Sequence, residues 1–309
     1  MSLLGMFKGK GPSGFGYNST AEDVTAGLSL AGKTILITGC NSGLGLEATR
    51  VLALRGAQVI GAARTEEKAR AAAAAVGAAI DPVACELSDP PSVRACVTAV
   101  KALGRPLDAI ICNAGIMALP KLKQAFGIEL QFFTNHIGHF MLVTGLLDSL
   151  AGDGRVVMLS SAAHLMAPKG GIAFDNLSGA RNYSGWVAYG QSKIANLLFA
   201  KELARRFAGS ARTANAVHPG VINTNLSRNL GMPPWLLNGA FGAAGAIFLK
   251  TIPQGAATEC YTAVNPAAAA ISGAYLADNN VAKSRPDSND PALATRLWEV
   301  SEKIVGDLL

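Results

Sequence analysis

Charge is scarce in this 309-residue chain: Asp, Glu, Lys and Arg make up 16% of it, against about 25% in an average soluble protein. Cysteine is scarce as well. The five thiols, Cys40, Cys85, Cys96, Cys112 and Cys260, fall far below the ~8–10% of a disulfide scaffold. They include no Cys-x-x-Cys pair and predict the buried, reduced cysteines of a cytoplasmic protein. No stretch reaches the roughly 18 apolar residues of a membrane span; the longest candidate, Gly239 to Leu249, is too short. The opening, MSLLGMFKGKGPSG, lacks the apolar core and cleavage site of a secretory signal. With 34 Gly and 14 Pro the chain has too little of either for collagen or low-complexity disorder. The net charge of +6 is spread among acids, so no basic stripe marks a nucleic-acid partner.

What is present is apolar, 50% of the residues, and regularly ordered. Residues 1–31 are rich in Gly, Ser and Thr and read as an N-terminal arm, in which Thr20 with Asp23 predicts a short capped helix. From residue 32 to 309 one domain is the simplest division, since single α/β domains run to ~250 residues. Seven apolar runs read as strands: Thr34–Thr38, Gln58–Ala62, Ala79–Cys85, Leu107–Cys112, Arg155–Leu159, Ala214–Val217 and Gly273–Ala277. Between them Leu44–Arg55, Glu66–Val76, Pro91–Leu103, Phe126–Leu150 and Ala188–Phe207 are long enough for crossover helices. Strands apolar at every position, separated by helices, predict a doubly wound α/β fold of Rossmann type. Its parallel seven-stranded sheet is covered by helices on both faces. The stretch from about 225 to 252 is apolar, broken by Gly and without a period.

The first strand ends in Thr38-Gly39-Cys40-Asn41-Ser42-Gly43-Leu44-Gly45 and runs straight into a helix. Glycines there permit a tight turn and close approach of a pyrophosphate to a helix N-terminus. The spacing is G-x3-G-x-G, and no Gly-Lys-Ser/Thr of a P-loop follows. The second strand ends without a carboxylate and is followed by Arg64, which favours the 2′-phosphate of NADP over the ribose of NAD. The competing explanation is that Arg64 pairs with Glu66 or Glu67. Tyr189 and Lys193 are four apart on a helix and share its face. A phenol of pKa about 10 is a poor base, and nearby positive charge would make it a usable acid/base.

Six motifs in order resemble the short-chain dehydrogenase/reductase family, and its retinol-dehydrogenase-like branch in particular. They are Thr38-Gly-x-x-x-Gly-x-Gly45, Asn113-Ala114-Gly115, Asn135 in Asn-His-Ile-Gly, Ser161, Tyr189-Gly-Gln-Ser-Lys193 and His218-Pro219-Gly220. The resemblance implies an NADP(H)-dependent oxidoreductase that interconverts a ketone or aldehyde and an alcohol, with a lipophilic small molecule as substrate. It implies that Tyr189 exchanges the proton, that Ser161 positions the carbonyl oxygen in preference to Ser160, and that Lys193 binds the nicotinamide ribose. Asn135 would hold a water in a proton relay. Gly39, Asn41, Ser42, Gly43, Leu44, Gly45, Arg64, Glu86, Leu87, Asn113, Ala114, Gly115, Tyr189, Lys193, Pro219, Gly220, Val221 and Thr224 would hold the cofactor.

Two departures stand out. The interval from Ser161 to Tyr189 is 28 residues, and its loop, His164–Trp186, would border the substrate; Glu86 stands where the family has Asp. His136 and His139, three apart, bring no Cys or second His pair, so local hydrogen bonding explains them better than a metal. His164 is expected to be structural rather than catalytic. Residues 225–252 would cover the substrate, form a contact in a homodimer or homotetramer, or rest on a membrane surface. A non-catalytic NADP-binding scaffold or sensor is the alternative function, disfavoured by the presence of all four catalytic residues. A sugar epimerase would need a larger C-terminal region.

Overall fold

Strand β1 (Thr34–Thr38) is buried at every residue, and its side chains feed two different layers. Ile35 and Ile37 join one apolar cluster and Leu36 another, the alternation of a strand with both faces covered. The computed structural model describes residues 9–222 and 249–308. Helix α2 (Gly43–Leu54) follows β1, and β2 (Gln58–Ala63), α3 (Glu66–Val76), β3 (Ile80–Ala84), α4 (Pro90–Ala102) and β4 (Leu107–Cys112) continue the alternation. Later come β7 (Leu150–Leu159), α7 (Gly185–Arg206), β8 (Thr213–His218), α8 (Ile252–Val264), β9 (Tyr275–Ala277), β10 (Asn280–Val281) and α9 (Pro291–Gly306). Ahead of β1 lies α1 (Ala21–Val24).

The main sheet runs β10-β9-β8-β7-β4-β1-β2-β3. Register is set by aligned apolar residues: Leu36 pairs with Ile60 and Ile110, Ile110 with Val156, and Val156 with Ala214. The seven expected strands are parallel, but among the described residues the sheet has eight. β10 turns back antiparallel on β9 through Asp278 and Asn279, both at positive φ. Two residues of strand carry no sequence signal of their own, which is why it was not anticipated. Chain order reverses direction at β1 and β4, so the carboxyl ends of those strands form the crevice where ligands bind in such sheets.

The helix expected over Phe126–Leu150 is interrupted. A hairpin, β5 (Gln124–Ala125) and β6 (Ile128–Glu129), turns at Phe126 and Gly127, both at positive φ. A short α5 (Leu130–Phe132), a π-turn (Phe133–Ile137) and α6 (Gly138–Leu146) follow. The Gly138 N–H reaches the Phe133 carbonyl, the i→i+5 spacing of a π-bulge.

The arm is bound to the body. Thr20 and Asp23 form the expected capping box, and Ala21, Val24 and Leu30 are buried in the layer shared with α2 and α8. Asn280 accepts from the Ser13 N–H at 2.9 Å and donates to the Phe15 carbonyl at 3.0 Å, while Phe15 meets Tyr261 edge-on at 5.9 Å.

Candidate active site

The turn after β1 is built for close approach. Gly39 holds φ +72°, and a Cβ on Gly45 would overlap the Gly39 carbonyl and the Asn113 side-chain amide, so the turn, β4 and α2 meet where only glycine fits. Thr38 ties the end of β1 to the residues that follow β4. Its carbonyl accepts from Asn113 Nδ2 at 2.8 Å and its hydroxyl from the Ala114 N–H at 3.0 Å. Asn41 and Ser42 are exposed, and Ser42, the N-cap of α2, makes no side-chain cap bond. The first N–H groups of α2 and the Ser42 hydroxyl thus face the crevice at a helix N-terminus, an anion-binding arrangement.

The catalytic candidates gather beside it. Tyr189 and Lys193 lie on α7, both buried, with the Lys193 ammonium 5.5 Å from the Tyr189 ring centre. Lys193 Nζ donates to the Leu159 carbonyl at 2.9 Å, and burial draws its pKa down to about 8. Burial also pushes the Tyr189 phenol up to about 12, opposed by a hydrogen bond from Ser161. Desolvation is the larger of the two effects, so the phenol stays protonated at neutral pH.

Ser160 and Ser161 diverge. The Ser160 hydroxyl donates to the Lys193 carbonyl at 2.8 Å inside the protein, which fastens α7 to the end of β7. The Ser161 oxygen accepts from the Ala163 N–H at 3.2 Å, which leaves its proton for the phenol. Asn135 sits within the π-turn, fully buried. Its side chain exchanges two 2.9 Å bonds with the Ile116 backbone and donates to Ser192 Oγ at 2.9 Å. Ser192 in turn donates to the Tyr189 carbonyl at 2.8 Å.

Around this centre the remaining candidates take different positions. Arg64 is exposed at the end of β2 and makes no ion pair among the described residues, while Arg70 takes Glu66. Glu86 Oε1 accepts from the Ser88 N–H at 3.1 Å and from the Ser88 hydroxyl at 2.8 Å, and so closes its own turn. Leu87 is buried against Gly138. Gly115 lies against Asn135 Oδ1 and Lys193 Nζ. Pro219, Gly220 and Val221 follow β8, with Gly220 at φ +94° packed on Lys250. Thr224 and most of the proposed cover, 225–252, lie outside the described residues; at its end Ile252 begins α8.

A family model described as short chain dehydrogenase matches residues 33–234. The chain belongs to the short-chain dehydrogenase family. It is 44% identical, over the whole of both chains, to the short-chain dehydrogenase TIC 32 B, chloroplastic, of Brassica napus. It is 37% identical to retinol dehydrogenase 11 of Mus musculus, covering 91% of this chain and 89% of that one. A crystal structure of a putative uncharacterized protein from Mycobacterium paratuberculosis superposes with a TM-score of 0.74 at 34% identity, covering 92% of this chain and 97% of that one. The protein is thus an oxidoreductase acting on CH–OH groups, with retinol-dehydrogenase-like relatives, in a family that binds NAD(P).

In this short-chain dehydrogenase His139 makes the local helical hydrogen bond expected of it, and what the sequence did not show is its second bond, to Thr38. His139 Nδ1 donates to the Asn135 carbonyl at 2.9 Å, and its Nε2 accepts from the Thr38 hydroxyl at 2.9 Å. The acceptor-only carbonyl fixes that tautomer, so a directed chain runs from Ala114 through Thr38 and His139 to Asn135. Burial holds His139 neutral, its pKa drawn down to about 4. His136 is engaged elsewhere, with Ser301 at 2.8 Å. A Cβ on Gly190 would overlap the backbone of Ala163 and Ala167, so the serine turn rests directly on α7. The i+4 spacing of Asn135 and His139 was the available signal for the first; Gly190, inside Tyr-Gly-Gln-Ser-Lys, was the signal for the second.

Proposed function

We propose that this protein is an NADP(H)-dependent reductase of lipophilic ketones or aldehydes, working toward the alcohol and able to run in reverse. The observation that carries the reading is the meeting of Ser161, Tyr189 and Lys193 beside a glycine cradle that a single Cβ would fill. That cradle fits a dinucleotide. Gly39 to Gly45 and the N-terminus of α2 would hold its pyrophosphate, and Arg64, free of ion pairs among the described residues, its 2′-phosphate. Asn113 to Gly115 and Pro219 to Val221 would line it on either side. When bound, the nicotinamide supplies hydride to the carbonyl carbon. The Tyr189 phenol gives its proton to the carbonyl oxygen. Ser161 donates a hydrogen bond to the same oxygen and stabilises charge developing there. The Lys193 ammonium binds the nicotinamide ribose and favours the tyrosinate left behind. Asn135 orders the backbone beside Lys193, on the path by which a proton returns from water.

An apolar rim supports the lipophilic substrate. Leu165 and Met166 are exposed beyond Ser161, and Trp186, exposed on α7, meets the Tyr189 ring edge-on at 6.2 Å. The five unpaired, buried thiols support a reducing, cytoplasmic setting. The test is a panel of lipophilic ketones and aldehydes with NADPH and with NADH. Turnover faster with NADPH, abolished in Tyr189→Phe with NADPH affinity kept, is expected. Cofactor binding without turnover of any carbonyl compound would turn the assignment toward a non-catalytic sensor.

A further inference from the structure

Behind the catalytic serine lies a second polar assembly that the reaction does not use directly. The turn Ala162–Met166 carries Ser161 at its N-cap, in extended conformation. Its third residue, His164, is 2% exposed. Two bonds fix this ring. Nδ1 lies 2.7 Å from the Ser161 carbonyl, which also accepts the His164 backbone N–H at 3.0 Å. Nε2 lies 3.2 Å from the backbone N–H of Arg285. A carbonyl only accepts and an amide N–H only donates, so the ring is the neutral Nδ1–H tautomer and no other. Tyr275 meets the ring edge-on at 5.0 Å, which fixes its plane.

The far side of the turn is clamped by the same segment. The Arg285 guanidinium donates to the carbonyls of Ala167 and Pro168, both at 2.6 Å, and pairs with Asp287 at 2.7 Å. From the other direction the Ala162 N–H donates to His218 Nδ1 at 3.3 Å, so the turn is held between the segment before α9 and the end of β8. A hydroxyl that must meet both a phenol and a carbonyl oxygen tolerates little displacement, since an error of about 1 Å can cost about a hundredfold in rate. Among the described residues no other side chain bonds the Ser161 carbonyl.

We propose that His164 is a positioning residue for Ser161, a neutral imidazole that transmits the fixed position of Arg285 to the serine through the Ser161 carbonyl. The proposal rests on the reductase reading above for its kinetic consequences but not for its structural ones. His164 touches neither the phenol nor Lys193, so its loss should impair the chemical step and leave cofactor binding intact. Asparagine can restore the donor toward Ser161, glutamine the acceptor toward Arg285, and phenylalanine neither.

The experiment follows NADPH oxidation with 4-nitrobenzaldehyde, NADPH affinity by fluorescence, and hydrogen exchange, in the full-length protein. His164→Phe should lower kcat tenfold or more with NADPH affinity unchanged, and His164→Asn and His164→Gln should each recover part of the loss. In a Ser161→Ala background His164→Phe should lower kcat less than twofold further, because the serine it positions is gone. Wild-type kcat in His164→Phe, equal losses in all three variants, or a full additional loss in the Ser161→Ala background would overturn the proposal. If the wild type turns over no carbonyl probe, the reductase reading fails, and exchange still decides the clamp. His164→Phe should then exchange faster in residues 161–168 and 284–290 alone, and unchanged exchange there would overturn it.

Discussion

Replacing Lys193 with methionine should abolish catalysis and stabilise the cofactor-free protein. The ammonium is buried on α7 with its pKa drawn from 10.5 to about 8 by desolvation, which at 1.36 kcal/mol per unit corresponds to about 3 kcal/mol of unfavourable burial. Methionine removes that charge at similar volume. The bond from Nζ to the Leu159 carbonyl is lost too, but that carbonyl keeps Asn196 Nδ2 at 3.1 Å and is not orphaned, so the loss is about 1 kcal/mol. A net gain of about 2 kcal/mol at pH 7 follows. The sign with pH is fixed by linkage. A base whose pKa is lower when folded costs stability wherever both states are protonated, and the cost fades as pH rises from about 8 toward 10.5, because the folded protein releases its proton first. Urea unfolding of wild type and Lys193→Met, from pH 7 to 10, measures the difference and cancels other titrating groups, the buried thiols among them. A variant less stable than wild type at pH 7, or a gap that does not shrink by pH 10, would refute the reasoning.

Three further outcomes follow from other residues. Glu259, buried in α8 with neither carboxylate oxygen hydrogen-bonded among the described residues, has its pKa raised from 4.5 to about 8 by desolvation. An acid raised on folding loses stability between its unfolded and folded pKa, so Glu259→Gln should match wild type near pH 4.5 and exceed it by about 4 kcal/mol at pH 8; equal melting curves at pH 8 would contradict this. Gly45→Ala forces a Cβ into the Gly39 carbonyl and the Asn113 amide, and NADPH affinity measured by fluorescence titration should fall tenfold or more, an unaltered affinity telling against the cradle. Arg64→Ala should weaken NADPH by roughly ten- to a hundredfold, the worth of a charge-assisted hydrogen bond, and hardly affect NADH. Equal effects on the two cofactors would remove Arg64 as the phosphate reader.

The parallel strands were legible because burial on both faces writes them as unbroken apolar runs: all five residues of β1 are buried, and the sequence pattern marks both its ends. Helix α7 was visible for the same kind of reason, although it starts at Gly185, three residues before the apolar pattern does. The interruption of the helix after Phe126 was hidden. Its hairpin is only two residues per strand, and a π-turn leaves composition unchanged while moving one backbone bond. In the site, Tyr189, Lys193, Ser161 and the glycines stood out as motifs. The sequence marks His139 for local hydrogen bonding and His164 as structural, but not the carbonyls of Asn135 and Ser161 that they hold, since nothing in a sequence says which carbonyl a ring will face. The upward push of burial on the Tyr189 phenol was not legible, because spacing reveals a neighbouring charge but not how dry the pair is.

The π-turn makes this part of the chain sensitive to length in a way that substitutions would not reveal. It gives α5 and α6 one residue more than a regular helix of equal rise, a built-in frameshift between the hairpin and the end of α6. Removing any one residue from Phe133–Ile137 would let the helix close regularly over the same rise, leaving its two flanks in place but drawing the side chains between them round by up to about 100°. Asn135 would then turn away from Ile116 and lose both of the bonds it makes there. Natural insertions and deletions among relatives of this chain are therefore expected to avoid these five residues and to collect instead in the loop between Met166 and Gly185, where the helix register has no stake.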